Sequence, residues 1–290
     1  MNLLVALITS FVSFTAISAD NPYQLGPSWS KQPVTSDTIN KVPEKLKQNA
    51  VIVAQFLGGT SFYLGKHNNK HLMATNFHVL PSPLNCYSLN RARFSILKES
   101  FSCKEFIVGV KETDLTIFEI DVPQNKEKLL ASFTLAHSIT TSGPLFSYGH
   151  GGWKNPKRSL LFTHDEFCKS FSSAPNLIHD PDTVNPVNYA VWSIPIGCDF
   201  SHGDSGSPVF NKDGHFVGIF WTGNAPKPSY LKERRYMEEL YNERDERIWS
   251  ELSYMSPLQK IVEALKKRAH NGHPQKSTIS ALVMFFEHSN

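Results

Sequence analysis

Gly203-Asp204-Ser205-Gly206-Ser207-Pro208-Val209-Phe210 sets a serine between two glycines and follows it with an apolar run. Glycine has no Cβ, so Gly203 and Gly206 let the backbone bend sharply and hold the Ser205 hydroxyl out of a tight turn. In such a bend the N–H groups of Gly203 and Ser205 converge beside that hydroxyl. That is the geometry of an oxyanion hole for a tetrahedral acyl intermediate. A plain Gly/Ser turn leading into a strand would carry the same letters, so the surrounding chain has to decide between the two.

A serine hydroxyl is a weak nucleophile near neutral pH. It needs a base within hydrogen-bond reach, and the base needs an orienting group. The chain has 12 histidines. His67, His71, His202, His215, His270, His273 and His288 lie in turns, near polar residues or in the tail, where neutral imidazole has many ordinary roles. His78 stands apart, at the end of an apolar strand in Thr75-Asn76-Phe77-His78-Val79. For the carboxylate, Asp114 directly precedes a strand in Thr113-Asp114-Leu115-Thr116-Ile117. A core histidine and a turn aspartate at a strand start are the ordinary readings of these two positions.

Outward from these residues the chain reads as many short strands. Val51 to Phe56, Thr60 to Leu64, His71 to Thr75, Phe94 to Leu97, Phe106 to Val110 and Leu115 to Ile120 are separated by Gly- and Asn-bearing turns. Apolar and polar positions roughly alternate from Leu115 to Ile120, as one face of a sheet requires. After a polar break at Gln124 to Lys128, a second set runs through Leu145 to Tyr148, Leu160 to Thr163, Ala190 to Ile194, Pro208 to Phe210 and Phe216 to Trp221. Strands without alternating helices predict an all-β barrel or sandwich. Tyr230 to Leu252 is crowded with Lys, Glu and Arg, with Met237, Tyr241, Ile248 and Leu252 at helical spacing, and predicts an amphipathic surface insertion. Ser256-Pro257-Leu258-Gln259 predicts a helix start with Ser256 as N-cap and Gln259 completing a capping box. Leu258, Ile261, Val262 and Leu265 form its buried stripe, and Asn271-Gly272 stops it. Ile279 to Phe286 is apolar but too short to span a bilayer, and a docked strand is expected there.

Composition bounds the rest. The 290 residues allow one or two domains, and the net charge of +3 is spread along the chain. Nothing in that distribution points to nucleic acid or to an acidic membrane surface. Residues 1–19 read as a secretory signal, with small residues at Ala16, Ser18 and Ala19, although Met1-Asn2 carries no basic residue and a buried N-terminal helix is the alternative. Residues 20–49 read as a polar arm or propeptide, 50–270 as the main domain (halves 50–125 and 126–255), and 271–290 as a tail. The four cysteines allow three pairings. Cys86–Cys103 with Cys168–Cys198 is preferred because each bridge then stays within one half. No pair has CxxC spacing, so no zinc site is expected.

His78, Asp114 and Ser205 follow one another in the order found in chymotrypsin, and not in the orders of subtilisin or the α/β-hydrolases. On these motifs, with Tyr254 to Leu265 as a last strand and closing helix, the sequence resembles the trypsin-like (chymotrypsin-fold) serine peptidases, in their bacterial secreted branch, over roughly Val51 to Arg268. The resemblance implies an all-β fold of two six-stranded antiparallel β-barrels with a C-terminal helix and the charged helical insertion. His78 and Asp114 would come from the first barrel and Ser205 from the second. It implies a secreted or periplasmic endopeptidase using a His78–Asp114–Ser205 triad, with Gly203 and Ser205 N–H groups as the oxyanion hole. Asp199, six residues before Ser205, would be a pocket carboxylate favouring Lys or Arg, with Trp221 and Gly223 in the pocket wall. No cofactor or metal is implied, and the expected partner is a protein or peptide substrate of a monomer. The match departs in places. Val79 stands where the animal enzymes have a cysteine, Phe77 where a small residue is usual, and Trp221 where a small serine is usual. In the animal enzymes the aspartate before the serine pairs with a newly cut N-terminus. Here Asp204 is present without a recognisable activation site near Val51, and a buried carboxylate of that kind requires some partner. The alternative function is a protease-fold binding protein that has lost catalysis.

Overall fold

The structure, a computed structural model, describes residues 31–35, 38–131, 133–151, 159–164, 166–182, 186–223, 253–270 and 272–288. The expected signal at 1–19 and the charged helix at 230–252 lie outside the described residues.

Turn chemistry sets the first half. Asn68 and Asn69 both take left-handed backbone (φ 48° and 62°). That is the tight two-residue turn whose twist matches its flanking strands, and it joins β3 (Gly59–His67) to β4 (Lys70–Asn76). With β2 (Val53–Phe56), β5 (Arg91–Phe94), β6 (Glu99–Val110) and β7 (Leu115–Asp121) these strands close into a barrel in the order β2-β3-β4-β7-β6-β5. Inside, Phe56 stacks on Phe118 at 4.5 Å and Phe94 meets Phe101 edge-on at 5.8 Å. The fourth strand begins three residues earlier than its apolar run at Phe94 to Leu97 predicts, because Arg91 and Arg93 point out while Ala92 and Phe94 point in.

The polar break becomes a short helix. Two helices mark the joins between halves: α1 (Glu44–Val51) ahead of the first barrel and α2 (Glu127–Ala131) after it. The second half is an eight-stranded antiparallel sheet. It contains β1 (Gln32–Pro33), β8 (Leu145–Gly149), β9 (Leu161–Thr163), β10 (Asn176–His179), β11 (Ala190–Ile196), β12 (Pro208–Asn211), β13 (Phe216–Gly223) and β14 (Ser253–Pro257). The order is β1-β9-β8-β12-β13-β14-β11-β10. Without its edge strands β1 and β10, the inner six follow the same circular neighbour order as the first barrel, with a seam between β9 and β11. The chain just past β9 bridges that seam. Ser170 pairs with Ile196, Gly197 N–H donates to Lys169 O at 3.1 Å, and Phe171 N–H donates to Pro195 O at 3.0 Å. The Cys168–Cys198 disulfide lies at the same place, and the other bridge joins Cys86 to Cys103.

The ends of the chain cross between the halves. The segment that reads as a polar arm forms β1, which pairs with β9 of the second sheet, and α1, whose Leu46 carbonyl accepts from Tyr148 Oη at 2.9 Å. After β14 come α3 (Leu258–His270) and α4 (Lys276–Glu287). The tail is therefore a helix, not the docked strand expected. Its buried Ile279, Leu282, Val283 and Phe286 fall three and four residues apart, so one helical face packs against the first barrel, where Asn68 Nδ2 also donates to Ser277 Oγ at 3.1 Å. The capping box does not form either. Ser256 sits inside β14, paired opposite Ile219, and the helix begins at Leu258.

Candidate active site

Asp114 caps the tight turn between β6 and β7. Its backbone is left-handed (φ 44°), a conformation that Asp tolerates better than most side chains. It is fully buried, and among the described residues two, His78 and Tyr189, bond its carboxylate. Oδ2 accepts from His78 Nδ1 at 2.7 Å. Oδ1 accepts from the His78 backbone N–H at 3.0 Å and from Tyr189 Oη at 2.7 Å. The Asp114 carbonyl accepts from Asn76 Nδ2 (2.9 Å) and from Phe77 N–H (3.0 Å). The turn carrying His78 is thus tied to Asp114 through both backbone and side chain, so the ring cannot shift without breaking several bonds at once.

The charge balance at the imidazole follows from this. Burial pushes the His78 pKa down, but the Asp114 charge and hydrogen bond, with Asp180 and Asp182 farther off, outweigh it and hold His78 above its ordinary value. With Nδ1 committed to Asp114, Nε2 is the nitrogen left to exchange a proton with a neighbour. Phe77 packs where a smaller residue was expected, and a glycine makes room for it. A Cβ on Gly109 would come within 2.7 Å of the Phe77 ring. Phe77 also meets Tyr189 edge-on at 5.9 Å, and Lys111 Nζ lies 5.7 Å from the Phe77 centroid.

The serine loop is tied to the first barrel through Thr60 of β3. Thr60 N–H donates to Ser205 O at 2.8 Å and Thr60 Oγ1 donates to Gly203 O at 2.9 Å. A Cβ on Gly59 would lie 2.7 Å from Ser205 O and 2.9 Å from Val79 Cγ2, so Ser205 and the residue after His78 flank the same glycine. No hydrogen bond joins the Ser205 hydroxyl to His78 among the described residues. Gly203 (φ 95°) and Gly206 (φ 91°) take the left-handed backbone expected of them. The N–H groups alternate in use: Asp204 donates to Ser201 O, Gly206 to Phe220 O and Ser207 to Asp204 O. Those of Gly203 and Ser205 have no acceptor among the described residues.

Asp204 finds its partner in Lys31, an ion pair with both side chains fully buried. Asp199 is fully buried, and its carbonyl accepts from Thr163 Oγ1 at 3.5 Å. Trp221 is buried with its indole N–H donating to Ser193 Oγ at 2.9 Å, and Gly223 is half-buried beside Ser253. Sequence reasoning missed Lys31, Thr60 and Tyr189. Asn188-Tyr189-Ala190 reads only as a strand start, and Lys31 lies in a segment whose composition is that of an arm. Among the described residues no group of three or more His, Cys, Asp or Glu side chains is arranged to hold a metal ion.

The sequence profile of the trypsin-like peptidase domain matches residues 59–219. Among solved structures, the inactive form of a serine-to-alanine mutant of Rv3671c from M. tuberculosis H37Rv is similar at 13% identity and a TM-score of 0.51, over 83% of this chain and 96% of that one. The active form of the Rv3671c protease from M. tuberculosis gives 14% identity and 0.48 over 81% and 87%. The HtrA-type protease AlgW with a decapeptide gives 13% and 0.46 over 74% and 52%. No curated protein matches the sequence significantly.

Proposed function

The chain belongs to the trypsin-like peptidase family, and from that premise we propose that it is a serine endopeptidase acting through Ser205, His78 and Asp114. Ser205 Oγ attacks the scissile carbonyl while His78 Nε2 takes its proton, and the same nitrogen then gives that proton to the leaving amine. Asp114 keeps Nδ1 protonated and stabilises the imidazolium that forms. The Gly203 and Ser205 N–H groups receive the oxyanion, a reading supported by neither having an acceptor among the described residues. The observation that carries this reading is the 2.7 Å bond from His78 Nδ1 to a fully buried Asp114. A base must be oriented before it can act, and this one is held by two bonds to a carboxylate that Tyr189 holds with a third.

The same reading assigns Asp199 to the floor of the primary specificity pocket, with Trp221 and Gly223 in its wall and a Lys or Arg side chain as its ligand. Its support is the place of Asp199, buried six residues ahead of Ser205. We place the enzyme outside the cytoplasm on its two disulfides.

A fluorophosphonate probe, with the modified residue mapped by mass spectrometry, tests the triad. Label on Ser205 is expected, with Ser205→Ala losing both label and about 10⁶-fold in kcat. Label on another residue, or none on the active chain, refutes the assignment. Arginyl, lysyl and neutral reporter peptides test the pocket. Equal kcat/KM on all three removes Asp199 from it.

A further inference from the structure

The charge buried beneath the serine loop goes beyond the triad, while resting on the serine-peptidase reading above. We propose that Lys31 is a positioning residue for catalysis. Its ammonium, carried by chain that precedes the first barrel, holds the Asp204 carboxylate and thereby sets the Gly203 and Ser205 N–H groups, so that no newly cut N-terminus is needed for activity.

The argument starts from the peptide planes. Ser205 N–H shares a plane with the Asp204 carbonyl, which accepts from Ser207 N–H at 2.7 Å. The Asp204 N–H shares a plane with the Gly203 carbonyl, which accepts from Thr60 Oγ1. Asp204 is therefore the pivot between these two planes. The first carries Ser205 N–H; the second adjoins Gly203, whose own N–H lies one plane further back with the His202 carbonyl. Where the Asp204 side chain is anchored fixes the first plane directly and constrains the Gly203 donor through the second. That side chain points into the protein and is fully buried. Oδ1 accepts from Gly151 N–H at 2.9 Å, and Oδ2 accepts from Ser201 N–H at 2.9 Å, Ser201 Oγ at 3.1 Å and Lys31 Nζ. The first three donors are neutral. Among the described residues Lys31 alone brings a charge to the carboxylate, and a buried carboxylate without one is strongly disfavoured. The seat is shaped for it, since a Cβ on Gly149 or Gly151 would collide with the Asp204 oxygens.

Lys31 reaches this seat by a route that does not depend on the ion pair. Gln32 and Pro33 pair with Phe162 and Leu161, and Val34 N–H donates to Leu160 O at 2.8 Å. Thr38 Oγ1 ties back to Pro33 O at 2.6 Å. Once β1 zips onto β9 the ammonium is delivered, whatever the chain's starting residue upstream. Cleavage ahead of residue 31 leaves the device intact, and loss of the segment that bears Lys31 removes it.

The test uses the full chain and a set of proteins starting at several positions upstream of Lys31. All should turn over a reporter peptide at the same rate and label at Ser205. Lys31→Met keeps the length and packing of the side chain. It should stay folded by circular dichroism yet lose at least about 10²-fold in kcat, with KM nearly unchanged. In Lys31→Ala, n-propylammonium replaces the deleted atoms and should restore part of kcat, whereas propan-1-ol should not. A general loss of packing would not distinguish the cation from the alcohol. A folded Lys31→Met enzyme with wild-type kcat overturns the proposal, as does equal rescue by the alcohol. So does activity that appears only from one newly cut N-terminus, and that start-site series decides the matter if the Lys31 variants do not fold. A wild-type chain that never labels at Ser205 sinks both readings, while equal labelling of wild type and Lys31→Met sinks this one alone.

Discussion

The first barrel closes through a direct β2–β5 pairing, whereas the second half leaves β9 and β11 apart and joins them through the chain at 168–171. The circular strand order is the same in both, so the contrast lies in what completes the circle. In the first barrel it is backbone ladder, and the proposed proton-transfer pair stands on it, His78 and Asp114 each tied by main-chain bonds. In the second it is a bridge, a disulfide and a few bonds. The half that carries the proposed nucleophile is held by cross-connections instead: Lys31 to Asp204, Thr60 to Gly203 and Ser205, Tyr189 to Asp114. On the proposed mechanism, a base standing on a closed ladder faces a nucleophile loop pinned by side chains distant from it in sequence, which divides the labour of the site between two kinds of support.

The largest break in that contrast should come from the rigid side. Asp114→Asn leaves shape intact but offers Nδ1 the wrong partner, and about 10⁴-fold should be lost from kcat. The acid limb of kcat/KM is a companion readout. The proposed mechanism needs neutral His78, whose pKa is held above its ordinary value in the wild type, so the limb should move to lower pH in the variant. A limb that does not move would separate His78 from the rate-limiting proton transfer. Next, removing the seam disulfide with Cys168→Ala and Cys198→Ala should cost about 3–4 kcal/mol on loop-closure grounds, and slightly less is expected for Cys86 with Cys103, whose loop is shorter (17 against 30 residues). Urea unfolding measures both. An equal or reversed ranking would mean that the seam is closed by its backbone bonds alone. Tyr189→Phe deletes a hydrogen bond to a buried carboxylate and should lower kcat by roughly 10- to 100-fold with little change in Tm. A loss of Tm without a loss of kcat would make Tyr189 a packing residue.

The smallest effect sharpens the picture at the far end of the first barrel. His67 and His137 flank Phe285 of α4, with centroids at 4.8 and 4.6 Å. Burial pushes both pKa values down, against hydrogen bonds to the backbone carbonyls of Leu64 and of Leu135 that push them up. The unfolded chain takes these protons at the ordinary value of about 6.5, the folded chain only at lower pH. Their contribution is therefore complete above about pH 6.5 and lost as pH falls through the depressed folded values. The urea midpoint should drop between pH 7.5 and 5.5, and less so in a His67→Gln, His137→Gln protein. A midpoint unaffected by the substitutions would assign the acid sensitivity elsewhere.

What could be read from the letters was what depends on local chemistry. The glycines around Ser205 demand a left-handed bend, Asn68-Asn69 demands a hairpin, and apolar runs bounded by turn residues demand strands. The short edge strand at Asn176–His179 was missed because its residues are largely exposed, leaving no apolar run to notice. The N-cap at Ser256 failed because strand pairing with β13 outcompeted it, a tertiary override of a local preference. The Asp204 partner could not be found by pattern, since a salt bridge across 173 residues leaves no spacing signature. Phe77 is the instructive case. It reads as a misfit beside His78 until Gly109, on β6, is seen to be missing the side chain that would collide with it.

The crossing of the chain ends has a consequence for how the molecule comes apart. β1 belongs by position to the first half but is built into the second sheet, and α4 follows the second half but lies on the first barrel. Each half therefore contains a piece whose loss would expose the other. Neither is a self-sufficient unit that could melt and leave its neighbour standing, so heating should give one cooperative transition, not two. Chains split between the halves should regain activity only when both fragments fold together.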